Sequence, residues 1–217
     1  MSRKTMLITG SSRGIGKACY DKFKDEYDII TVHRGSDATY CGDLIDIDFR
    51  TRLINEVTPD VFINNCGGLD SDPMRVIQLN AVAACHLMMG FHQKMSKGII
   101  VNISSIAANN LGWSDASYSN IAYSSSKAML SLMSTNLHYQ KSKNVKVITI
   151  EPGQCKTERF AHVPDPIHKP EGEWDIADYA PLLPNEVADA IAYTIKQDPW
   201  VNITMLRVEP MSKHFRN

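Results

Sequence analysis

Met6-Leu7-Ile8-Thr9-Gly10-Ser11-Ser12-Arg13-Gly14-Ile15-Gly16 is the stretch on which the fold turns. Its apolar start predicts a buried strand over 6–9, and the pattern after it predicts a helix over 14–26. Between the two, the glycines let the backbone turn tightly, approach a pyrophosphate and pack helix on strand. The helix N-terminus adds unpaired N–H groups and the positive end of a dipole. On this reading Gly10, Ser12, Arg13, Gly14, Ile15 and Gly16 cradle the phosphates of a dinucleotide. Any tight strand-to-helix turn wants glycine, so the weight comes from its place directly after the first strand.

Outward from this turn, short apolar runs alternate with longer amphipathic ones. Strands are expected over 28–32, 61–64, 98–103, 145–150 and 203–208, and helices over 48–57, 74–95, 121–142 and 185–197. Most of the short runs are continuously apolar, the mark of parallel strands covered on both faces. The repetition predicts an α/β fold, a doubly wound parallel sheet flanked by helices, with ligands at the carboxyl ends of its strands. The 217 residues suit a single domain, 1–217, without linker or internal repeat. One irregular stretch, about 157–184, reads as a lid or substrate wall.

With 43% hydrophobic and 22% charged residues, the chain can bury a core and is no disordered polymer. Its net charge of −1 argues against a nucleic-acid partner, which would need clustered Lys and Arg. No apolar run approaches the roughly 18 residues that span a bilayer, and the N-terminal run is too short for a secretory signal. A cytoplasmic location without a membrane partner is expected. The five cysteines are scattered, and His86 and His92 are six apart, wrong for two ligands on one helical face. No metal site is expected.

Further motifs stand in order along the chain: Asp43-Leu44, Asn64-Asn65-Cys66-Gly67, Asn80, Asn102-Ile103-Ser104-Ser105, Tyr123-Ser124-Ser125-Ser126-Lys127 and Pro152-Gly153-Gln154-Cys155-Lys156-Thr157. With the Gly-x3-Gly-x-Gly turn, this series over residues 9–157 resembles the short-chain dehydrogenase/reductase family, single-domain branch. The resemblance implies a Rossmann-like fold and NAD(P)-dependent hydride transfer. It implies further that Asp43 and Leu44 contact the adenine, that Asn65 and Gly67 line the cofactor, and that Pro152, Gly153 and Thr157 hold the nicotinamide end. It makes Asn80, Ser105, Tyr123 and Lys127 the catalytic set, with Asn80 helping to hold a water linked to Lys127. Equivalent helices in the family pair across a two-fold axis, so a homodimer or homotetramer is expected. Members usually run longer, and 67–80 looks trimmed beside the substrate cleft.

Tyr123 and Lys127 fit this chemistry on their own terms. At i, i+4 they share one helical face, and a neighbouring ammonium draws a phenol toward phenolate so that it can exchange a proton with a carbonyl or alcohol. The same spacing occurs at Tyr20/Lys24 and Tyr139/Lys143, but only Tyr123 comes after a strand ending in paired serines. Strand alternation sends Ser104 and Ser105 to opposite faces; Ser105 is the substrate-orienting one, while Ser104 satisfies strand-end backbone. Lys127 also reaches the cofactor ribose. The expected substrate is a small carbonyl compound or its alcohol, since the segment 158–180 carries six acids against two bases and disfavours acidic carriers. NADP(H) is expected over NAD(H). The acid that takes the ribose 2′-hydroxyl in NAD-binding folds is missing after the second strand, where Arg34 stands, and Arg13 faces the same place. Two rival readings are an epimerase or dehydratase with tightly held cofactor and a nonenzymatic dinucleotide-sensing module.

Overall fold

The computed structural model describes residues 3–109, 117–140, 144–157 and 181–210. The chain opens with β1 (Lys4–Thr9), α1 (Gly14–Phe23), β2 (Tyr27–His33), β3 (Tyr40–Cys41), α2 (Ile47–Glu56) and β4 (Val61–Asn64). It continues through α3 (Pro73–Ile77), a π-helical turn (Gln78–Ala83), α4 (Ala84–Lys94), β5 (Lys97–Ile103) and a 3-10 turn (Ile106–Ala108). α5 (Tyr118–His138), β6 (Asn144–Pro152), α6 (Pro184–Ile195) and β7 (Met205–Val208) complete it. Among the described residues, seven parallel strands form one sheet in the order β3-β2-β1-β4-β5-β6-β7.

Strand pleating divides the core in two. Leu7, Phe62, Ile100 and Val147 pack on one face with Leu53, Leu87, Phe91 and Leu130 from α2, α4 and α5. Met6, Ile8, Ile63, Val101 and Ile148 pack on the other with Cys19, Phe23, Val187 and Ile191 from α1 and α6. Successive residues thus enter opposite cores, and for that reason the strands read as unbroken apolar runs.

Three expectations change. The two-residue β3 escaped the sequence reading, because Tyr40-Cys41 forms no apolar run. The helix expected over 74–95 contains the π turn around Asn80. From Pro73 to Lys94 it is long and apolar enough to cross a bilayer by length and composition, yet half of it is buried against the protein, with Val76, Leu87, Met88 and Phe91 in the core. The proposed lid lies mostly outside the described residues; its flanks meet where Lys156 N donates to Leu182 O and Leu182 N donates to Gln154 O. Lys143 of the third Tyr/Lys pair also lies outside them.

The closest backbone approach at the first turn joins α1 to β1. A Cβ on Gly16 would stand 2.1 Å from Gly10 O and 2.6 Å from Asn65 Nδ2, so no side chain fits unless the helix withdraws. Gly16→Ala should cost about 1–3 kcal/mol, the usual range for overpacking. Its urea midpoint should fall and its Tm drop by several degrees; a midpoint equal to that of the wild type would contradict the close approach.

Candidate active site

The phosphate turn is built from backbone. Gly10 (φ +68°) and Gly14 (φ +53°) adopt a left-handed conformation that side chains disfavour. Thr9 Oγ1 accepts from the N–H groups of Asn65 and Cys66 at 3.0 and 3.1 Å, and Asn65 Nδ2 donates back to Thr9 O at 2.9 Å. The end of β4 therefore locks the turn after β1. Arg13 is the N-cap residue of α1, Ser12 and Arg13 face solvent, and Ile15 packs toward the α1–α6 core. Ser11, which the sequence reading passed over, buries a hydroxyl with no hydrogen-bond partner in the structure. A buried orphan hydroxyl beside positive-φ glycines and a helix N-terminus fits a polar ligand such as a dinucleotide phosphate or ribose.

At the adenosine end, Arg34 stands directly after β2. Asp43 Oδ1 accepts from Ile45 N at 3.0 Å, and Oδ2 accepts from Arg75 Nη2 at 2.9 Å. Burial alone would raise the Asp43 carboxyl, but the Ile45 N–H, Arg75 and Arg34 together hold it below its ordinary value. Arg34 and Arg13 each act electrostatically on the Cys66 thiol, drawing it down against the burial that raises it. Leu44 departs from its assignment in one respect. Its side chain packs in the core and its carbonyl accepts from buried Arg50.

The chemical end gathers around Lys127, which is almost wholly buried. Its Nζ donates to Ile103 O at 2.7 Å and stands 5.9 Å from the centre of the Tyr123 ring. Burial pulls the ammonium down to about 8, an effect that Cys66 opposes. A Cβ on Gly67 would lie 3.2 Å from Lys127 Nζ and 2.9 Å from Asn80 Oδ1, which brings Gly67, Asn80 and Lys127 together. Asn80 is fully buried; it accepts from Gly68 N at 2.8 Å and donates to Gly68 O at 2.7 Å. Its side chain clamps the loop after β4 rather than its own helix.

Both serines lie just past the end of β5, where Ser105 keeps an extended backbone. Ser104 Oγ donates to Lys127 O at 3.0 Å, a helix carbonyl instead of the strand-end backbone expected. Ser105 Oγ accepts from Ala107 N at 3.2 Å and caps the 3-10 turn. Pro152 ends β6, Gly153 N donates to Val208 O at 2.7 Å, and Thr157 Cγ2 sits 3.2 Å from where a Gly14 Cβ would be. The nicotinamide-end turn therefore touches the phosphate turn. A cavity of about 660 Å³ opens there, lined by Gly14, Lys17, Lys156, Thr157 and Asn185 among others. Tyr20, of the competing Tyr/Lys pair, lies on α1 with the Lys17 ammonium over its ring. Among the described residues, no group of His, Cys, Asp and Glu is arranged to hold a metal.

A family model described as short chain dehydrogenase matches residues 54–167. Protein FixR of Bradyrhizobium diazoefficiens is 28% identical over 88% of this chain and 79% of its own length. Serine 3-dehydrogenase of Agrobacterium fabrum is 25% identical over 97% of this chain and 95% of its own. The crystal structure of BdcA in complex with NADPH is similar at a TM-score of 0.79 and 21% identity, covering 99% of this chain and 98% of that one. Solved chains of this fold hold NADH in some cases and NADPH in others. The chain belongs to the short-chain dehydrogenase family. It is an NAD(P)-dependent enzyme of alcohol and carbonyl groups, which sets the sensing-module reading aside.

The depressed Lys127 value makes a linkage prediction. Between about pH 8 and 10.5 the folded lysine has lost its proton while the unfolded one keeps it. The unfolded state then binds more protons, so stability rises with pH across that window. Below it, folding carries the full cost of a buried ammonium. Wild-type protein should therefore gain stability relative to Lys127→Met as pH rises from 8 to 10.5, read from paired urea midpoints. A constant difference between the two would show that the ammonium is not desolvated.

Proposed function

We propose that this enzyme reduces a small carbonyl compound, or oxidises the corresponding alcohol, with NADP(H) as its preferred cofactor. The observation that carries the reading is the buried Lys127 ammonium beside the Tyr123 ring, at the end of the strand that leads into Ser105. Gly10, Gly14, Gly16 and Ser11 would hold the phosphates, Asn65 and Gly67 the middle of the cofactor, and Pro152, Gly153 and Thr157 its reactive end. The bound dinucleotide supplies or accepts the hydride. Ser105 and Tyr123 hold the substrate oxygen, Tyr123 exchanges its proton, and Lys127 supports the phenolate and reaches the ribose. Asn80, by holding the Gly68 peptide, keeps the loop beside Lys127 in place.

NADP(H) preference rests on charge. Asp43, which Arg34 also affects electrostatically, is paired with Arg75, and Asp37 is an exposed loop residue 3.8 Å from His33 Nε2. Arg13 and Arg34 suit a 2′-phosphate. Five thiols without a disulfide suit a reducing, cytoplasmic setting. Exposed Val82, Met89, Ile121, Met129 and Leu132 on the π turn, α4 and α5 suit a homodimer or homotetramer. The neighbouring Met88 is core.

Two measurements test this reading. Tyr123→Phe should keep cofactor binding while turnover falls about 10²–10⁴-fold, the worth of a positioned acid. The assay follows NADPH oxidation with ketones, aldehydes and quinones, and NADP reduction with hydroxy amino acids such as L-serine. Near-normal turnover in this variant, or loss of turnover in folded Tyr20→Phe, would move the proton donor elsewhere. NADPH should bind at least tenfold tighter than NADH, since each charge-assisted contact contributes roughly 1.5–3 kcal/mol. Arg34→Asp should erase that margin. Equal affinities in the wild type would overturn the preference.

A further inference from the structure

Glu151 is a wholly buried carboxylate one residue before the Pro152-Gly153 turn, and nothing in the hydride-transfer scheme uses it. Its surroundings are all donors. Asn109 Nδ2 reaches both carboxylate oxygens at 3.1 Å, Ser131 Oγ lies 3.1 Å from Oε1, and Arg207 places Nε and Nη2 at 3.3 and 3.0 Å from Oε2. Those donors come from three elements: the end of the 3-10 turn beyond Ser105, α5 one turn beyond Lys127, and β7. An ionised carboxylate accepts at every lone pair; an amide in its place would set N–H groups against N–H groups.

The network runs from Glu151 to the catalytic helix. Ser131 Oγ stands 2.7 Å from Ser104 Oγ, so its single proton is shared between Ser104 and the carboxylate. Ser104 Oγ donates in turn to Lys127 O, and Ser104 N donates to Ile150 O at 2.8 Å, directly before Glu151. One carboxylate thereby ties together the segment bearing Ser105, the helix bearing Lys127 and Tyr123, and the turn assigned to the nicotinamide. Arg207, half-exposed on the edge strand, supplies the balancing charge. Removing Arg207 would leave the Glu151 charge buried and uncompensated.

We propose that Glu151 is a positioning residue that sets the register between the nicotinamide-end turn and the catalytic helix, with Ser131 as its link to the helix. The proposal rests on the dinucleotide-binding role of the cleft. It separates the two ends of that cleft, because the partners of the Glu151 carboxylate given by the structure are Asn109, Ser131 and Arg207, at the chemical end.

Glu151→Gln keeps the shape and withdraws the charge. NADPH affinity should fall about tenfold, the worth of roughly one charge-assisted hydrogen bond, and the fluorescence gain of the bound nicotinamide should be lost. Adenosine 2′,5′-bisphosphate, which carries only the far end of the cofactor, should bind within about twofold of wild type, a split that a general loss of folding would not produce. Ser131→Ala cuts only the link to α5 and Ser104, and decides the matter should Glu151→Gln fail to fold. It should lose at least about half of the nicotinamide signal while keeping fragment affinity. A folded variant with wild-type nicotinamide fluorescence, or an equal loss for fragment and whole cofactor, overturns the positioning role. Wild-type protein that bound neither NADPH nor NADH would instead overturn the dinucleotide reading, and the proposal with it.

Discussion

Burial of the Lys127 ammonium is the constraint around which the cleft is arranged. A desolvated charge is costly unless it is hydrogen-bonded, and here Ile103 O at the end of β5 takes that role at 2.7 Å. The carbonyl can serve only if strand and helix keep their distance, which Ser104 enforces through its bonds to Lys127 O and Ile150 O. Gly67 is small because a side chain there would crowd the ammonium. The lowered affinity of Lys127 for its proton is the visible sign of a charge kept where the fold alone would not put one. The two apolar cores on either face of the sheet supply the stability that tolerates it.

The π turn serves the same end from the other side of the loop. Inserting one residue into a helix rotates its two halves by about 100° relative to each other. Ahead of the turn, Arg75 reaches Asp43 and Asp70; within it, Asn80 reaches Gly68; beyond it, Ala84, Leu87, Met88 and Phe91 enter the core. A uniform helix over the same residues would have to give up one of these three alignments. The trimmed segment before Asn80 is therefore tied down twice, by an ion pair at the adenosine end and by an amide clamp beside Lys127.

Much of this was legible from the residues alone, and the gaps have physical causes. Six strands declared themselves as apolar runs, the central ones because both of their faces are buried; β3 lies at the sheet edge with two residues and no apolar run to announce it. The phosphate turn and the Tyr123/Lys127 pair could be read because their chemistry is local, spanning seven and five residues. The Arg75–Asp43 and Arg207–Glu151 pairs could not, since their partners lie 32 and 56 residues apart and only the sheet brings them together. Ser11 was hidden for another reason. A hydroxyl's burial, and its lack of a partner, are tertiary facts. Adjacent Met88 and Met89 differ wholly in exposure through helical phase alone, which a list of apolar residues does not resolve.

The two ends of the cleft are held by interactions of different strength, and this bears on how such an enzyme can diverge. At the adenosine end the Arg75–Asp43 pair is about two-fifths exposed on both sides, so it contributes little to folding stability. Arg34 stands on a loop, and replacing it disturbs no core contact given by the structure. At the chemical end the groups are buried and shared: Glu151, Ser131, Ser104 and Lys127 each depend on the next. Losing one strands the others away from water, at the cost of an unsatisfied buried group. On the roles proposed above, cofactor choice can change by single exposed residues, while the buried groups must be kept or replaced as a unit. That asymmetry is consistent with a fold whose solved members hold either NADH or NADPH.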